Sequence, residues 1–121
     1  MDERIEKAFQ VTNYFATLAG QKKIILEELN QKLVHYCNGG TFKVTIELIN
    51  FSKLLLDKGI TSDAVLIDDN NIPVIIDDMS KFHETIFSIY FEAANGYAVK
   101  YSEIKSKRKI KDLIDLWQLV H

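Results

Sequence analysis

The segment 64–76, AVLIDDNNIPVII, constrains this chain most, because it reads as a single β-hairpin set between two long helix-period runs. β-branched runs at 64–67 and 72–76 flank Asp68-Asp69-Asn70-Asn71. Asn and Asp tolerate the positive φ that tight hairpin turns require. Pro73 has no N–H to give a ladder, which assigns it to an edge strand facing outward. A two-stranded hairpin is marginal in water, so it must rest on a helix or pair with another chain.

Breakers are otherwise scarce, with one Pro and five Gly in 121 residues, and that scarcity predicts few, long elements. A first helix is expected over 2–37. Ile5, Ala8, Phe15, Leu18, Ile25, Leu29, Leu33 and Tyr36 recur along one of its stripes. Gly20 is its one interruption, and Asn38-Gly39-Gly40 supplies its left-handed cap. The β-prone stretch 41–44 is long enough to add a strand. Thr45 reads as the N-cap of a second helix over 46–58, burying Leu48, Ile49, Ser52, Leu55 and Leu56 and stopped by Lys58-Gly59. Asp77-Asp78 offers the cap of a third helix whose stripe is Met79, Phe82, Ile86, Ile89, Tyr90, Ala93, Tyr97, Tyr101 and Ile104. Asn95-Gly96 is a possible kink in it, and the stripe resumes with Ile110, Leu113, Ile114 and Trp117.

The expected fold is therefore mainly α with a small β-hairpin (α+β). It has long antiparallel helices, a shorter helix between them and the hairpin at one end, in one domain spanning 1–121.

A hydrophobic content of 47%, 26% charged residues and a net charge of −2 are ordinary for a soluble folded chain. They give no global attraction to nucleic acid or to an acidic membrane. The single Cys37 excludes an internal disulfide and fits a reducing compartment. No apolar run approaches the ~18 residues of a membrane span. The opening MDERIEKAFQ lacks the apolar centre of a signal peptide. A cytoplasmic protein is expected, without membrane association.

The residues that could carry chemistry are few. Asp68, Asp69, Asp77 and Asp78 bracket the hairpin, but the calcium-loop pattern needs a Gly and a distal Glu that are absent. A turn and a helix cap account for all four. His35 and Cys37 are two apart, which on a helix sends them to different faces, and no second pair accompanies them to hold zinc. Neither His83-Glu84 nor Gly39-Gly40 sits in a catalytic or phosphate-loop pattern. No catalytic residue, metal, cofactor or small-molecule substrate is expected, and the chain reads as no enzyme.

Lys105, Lys107, Arg108, Lys109 and Lys111 form a basic run. It is suited to a solvated face, to the acidic hairpin of a neighbouring copy, or to nucleic acid with Tyr97 and Tyr101 stacking on bases. Phe87 and Phe91 fall off the main stripe of the third helix, as Phe9 and Ile24 fall off the first. Helices apolar on more than one face are central in a bundle or bound to partners. Protein contacts are therefore expected at Val65, Ile67, Ile72, Val74, Ile76, Phe87 and Phe91, in a homo-oligomer or a larger assembly.

The strings QKKIILEELNQKL, NGGTFKVT, AVLIDDNNIPVIIDD and KSKRKIKDL resemble small proteins that contractile-tailed phages encode near their structural genes. The resemblance covers most of the chain and implies a virion or assembly role, in the host cytoplasm or the virion, without marking functional residues. The helix, β-hairpin, helix order is also similar to prefoldin β-type subunits and implies a chaperone. The inserted helix 46–58 and the aromatic arms depart from that pattern. A regulatory module contacting nucleic acid or polymerase through 105–111 is the alternative to an assembly subunit.

Overall fold

A computed structural model describes residues 2–107 and 117–118, without the side chains of 14–16 and 107. The element order is α1 (Glu3–Lys32), β1 (Val34–Cys37), β2 (Gly40–Lys43), α2 (Ile46–Asp57), β3 (Ala64–Ile67), β4 (Pro73–Ile76) and α3 (Met79–Lys107). The molecule is mainly helical with two antiparallel hairpins, an α+β fold. It parts into two compact units, residues 29–95 and residues 1–28 with 96–121.

The first helix ends at Lys32, earlier than expected, and 34–37 is a strand. Asn38 and Gly39 both take positive φ, 49° and 79°. Together they form the two-residue turn that matches the twist of an antiparallel pair, rather than a helix cap. β1 pairs with β2 from Cys37↔Gly40 to Val34↔Lys43, and the Val44 N–H extends the ladder to the Leu33 carbonyl at 2.9 Å. The chain thus has a second hairpin, and Tyr36 leaves the helical stripe to stand 75% exposed on a strand.

The other elements lie where the local chemistry puts them. Thr45 caps α2, its hydroxyl accepting from the Leu48 N–H at 3.1 Å, and Gly59 ends that helix with φ 81°. β3 pairs with β4 in the register Ala64↔Ile76, Val65↔Ile75, Leu66↔Val74 and Ile67↔Pro73. Asp78 caps α3, its carboxylate accepting from the Lys81 N–H at 3.1 Å. α3 continues as helix through Asn95-Gly96, and α1 through Gly20.

The core lies in residues 29–95. Leu33, Phe42, Val44, Ala64, Leu66, Val74, Ile76, Met79, Phe82, Ile86 and Ala93 form one buried cluster, with the inward residues of α2 packed against it. Phe42 meets Phe82 edge to face at 5.4 Å, an arrangement favoured by the ring quadrupoles. Two connections join the hairpins. The Thr41 N–H donates to the Asp68 carboxylate and the Asp69 N–H donates to the Thr41 carbonyl, each at 2.9 Å. The Asn38 side-chain amide donates to the Ile75 carbonyl at 2.8 Å.

In the other unit α1 and α3 meet through an ion pair between Lys100 and Glu28 and through Lys22 over the Tyr101 ring at 5.4 Å. Ile25 is the one buried hydrophobic residue among its described residues.

Candidate interaction surface

The outer face of β3 and β4 is apolar and open to solvent. Side chains alternate across a strand, so Ala64, Leu66, Val74 and Ile76 enter the core while Val65, Ile67 and Ile75 point out. Those three are 58%, 61% and 55% exposed. Ile72, in the turn before β4, is 47% exposed. Of the expected contact residues, Val65 and Ile67 lie on this face; Ile72 is exposed in the turn, where the register sets it opposite Asp68 and on the other side of the strand. Val74 and Ile76 do not lie on this face, because the strand period turns them into the chain's own core. Ile75, which cross-strand pairing sets beside Val65, belongs to the face in their place.

A second apolar surface runs along α3. Phe87 and Phe91 are exposed and stack nearly parallel, with ring centroids 5.9 Å apart. His83 precedes them one turn earlier, 6.5 Å from Phe87. His83 Nδ1 lies 2.6 Å from the Ser52 Oγ, and the Ser52 hydroxyl donates to the Ile49 carbonyl at 2.7 Å. No sequence pattern signals this pairing of α2 with α3. Ser52 is fully buried, and the contact ties α2 to α3.

His35 and Cys37 share one side of β1, against the expectation from helical spacing, since residues two apart in a strand face the same way. With Asn38, Asp77, Lys81 and Phe82 they line a groove of about 290 Å³. Burial lowers the His35 pKa, favouring the neutral imidazole. Burial, and then the neighbouring Asp77 charge, raise that of the Cys37 thiol. A protonated thiol is a poor nucleophile and a poor metal ligand. Among the described residues, no three of His, Cys, Asp and Glu gather to hold a metal.

The aspartates are turn and cap residues. Asp68 is buried, and its carboxylate accepts from the backbone N–H groups of Thr41, Asn70 and Ile72 at 2.9, 2.9 and 2.8 Å. Those donors, Thr41 foremost and Ile72 next, hold its pKa below the ordinary carboxylate value against the opposing effect of burial. Asp78 caps α3, and Asp69 and Asp77 are exposed.

Of the basic run, Lys105 is exposed near the end of α3 and Lys107 is its last residue. Arg108, Lys109 and Lys111 lie outside the described residues, as do Ile110, Leu113 and Ile114. Among the described residues, no helix is long and apolar enough to cross a membrane. No family model matches the chain, and neither a curated protein nor a solved structure matches it.

Proposed function

We propose that this chain is a non-enzymatic structural or assembly subunit that works through protein–protein contacts in a larger complex. The phage resemblance makes a virion or morphogenesis complex the setting to examine first. The observation that carries this reading is the outer face of β3 and β4, where Val65, Ile67 and Ile75 present exposed apolar side chains on a hairpin of two four-residue strands. Exposed apolar patches of this kind mark interaction sites more often than isolated surface residues do. At roughly 25 cal/mol per Å², covering such a patch drives association provided that the partner matches its shape. Phe87 and Phe91 add a second aromatic anchor of the type that dominates interface energetics.

Sedimentation over a wide concentration range, alone and mixed with the products of neighbouring genes, tests the proposal. The expected result is an assembly heavier than the monomer that the double substitution Ile67→Asp, Ile75→Asp dissolves without loss of helical circular dichroism. A strict monomer under every mixture, or an assembly indifferent to the double substitution and to Phe87→Asp, counts against it.

A further inference from the structure

β3 offers a partner more than its side chains. In an antiparallel ladder, hydrogen-bonded pairs alternate with pairs whose N–H and C=O groups turn away from the neighbouring strand. The Asp68 N–H donates to the Ile72 carbonyl at 3.0 Å, so these two form a bonded pair. The register then makes Leu66↔Val74 and Ala64↔Ile76 bonded as well, and it turns the backbone groups of Val65 and Ile67 outward. Pro73 occupies one of the unbonded positions, where a residue without N–H fits.

Among the described residues, β4 is the only strand that β3 pairs with. The far edge of β4 is already obstructed, because Pro73 has no N–H and the Ile75 carbonyl receives the Asn38 amide. The far edge of β2 is occupied in the same way, at Thr41, by Asp68 and Asp69. The far edge of β3 carries no such cover among the described residues, and its outward residues Val65 and Ile67 are more than half exposed.

Charge decides what can lie there. Between residues 59 and 80 the sequence has five aspartates and no lysine or arginine. Asp63 immediately precedes β3, and Asp68 and Asp69 immediately follow it. A second copy of β3 laid alongside would meet like charges whichever way it ran. Antiparallel it sets Asp63 against the acidic turn, and in parallel it sets each aspartate beside its twin. Like charges directly opposed destabilise strand pairs.

We propose that the free edge of β3 receives an extended segment of another protein, alternating in apolar residues and flanked at both ends by lysine or arginine. Main-chain bonds to Val65 and Ile67 supply affinity in the manner of strand addition. The apolar rail selects the alternation, and Asp63 and Asp69 select the basic ends. This rests on the assembly reading and names the chemistry of its partner.

The probe is a blocked peptide of alternating valine and threonine with two lysines at each end, titrated into the full chain and followed by backbone amide shifts. A twin ending in glutamates serves as control. The lysine-ended peptide is expected to shift the Val65 and Ile67 amides saturably and to bind about tenfold more tightly than its twin, roughly the 1.4 kcal/mol of a tenfold ratio. Asp63→Asn with Asp69→Asn should erase most of that preference, and Asn at 63 keeps the positive φ of 56° that the position requires. Val65→Pro removes an outward N–H while sparing the β3–β4 bonds and should abolish binding. Alternate N-methylation of the peptide does the same with the chain unaltered.

Equal binding of the two peptides, unimpaired binding of the methylated one, or shifts confined to β1 or to the Phe87–Phe91 surface would overturn the proposal. So would a dimer joined through β3. A chain that assembles in sedimentation yet ignores the peptide overturns this inference alone. A chain that binds the peptide but assembles with nothing overturns the assembly reading instead.

Discussion

At the scale of single residues, Gly40 is the glycine with the least room for a side chain. A Cβ added there would stand 2.5 Å from Val74 Cγ2 and 3.2 Å from Phe42 Cε2. Both neighbours are core residues exposed by 3% or less, and a β-branched side chain locked in a core has no rotamer to yield into. Gly40→Ala should therefore cost about 1–3 kcal/mol of stability, the usual penalty of overpacking. A lowered urea midpoint with an unchanged slope would be the signature, and an unchanged midpoint would refute the close approach. The glycine reads from sequence only as part of a helix stop, because its constraint comes from Val74, a residue of the other hairpin.

At the scale of elements, what can be read in the sequence depends on whether the deciding chemistry is local. The cap and stop of α2 come from Thr45 and Gly59, within or beside the helix, and both are where the sequence implies. The β3–β4 turn is equally local. The β1–β2 hairpin escapes the helical pattern because Leu29, Leu33 and Tyr36 keep helical spacing across its start, while Asn38-Gly39 serves a helix stop and a hairpin turn alike. The β-branched and aromatic residues on both sides of Asn-Gly, Val34 and Tyr36 before it and Thr41, Phe42 and Val44 after it, are the signal that separates the two. Reading that element as helix also misplaces His35 and Cys37.

For the surface, Phe87 and Phe91 are legible as exposed from their departure from the stripe. Val74 and Ile76 are misassigned by counting a whole strand where only alternate residues face out. The Ser52–His83 tie joins residues too far apart for any pattern to show. Gly20 tests the helical level directly. It sits inside α1, where a methyl group in place of its hydrogen would meet nothing within 4 Å. Gly20→Ala should therefore stabilise that helix by roughly 0.5–1 kcal/mol. A higher thermal midpoint of the far-ultraviolet signal is expected, and a lower one would mean that α1 needs the glycine.

At the scale of the whole molecule, burial is uneven: eleven residues of 29–95 form the core cluster, while Ile25 is the one buried hydrophobic among the described residues outside that unit. The hairpins belong to the well-packed part, and Asp68 is one of the ties between them. Its folded pKa is depressed, so its stabilising effect is complete above the ordinary carboxylate value of ~3.9 and fades as pH falls through the lower folded value. Protonation of Asp68 thus loosens the cover over the β2 edge at Thr41. Acid should convert this protein into a sticky one rather than merely an unfolded one, since bare strand edges template aggregation. Light scattering should rise as pH drops below about 4, earlier in the Asp68→Asn variant, and clear, reversible unfolding with no scattering would contradict it. The carboxylate that ties the two hairpins is, seen this way, also a guard against uncontrolled strand pairing.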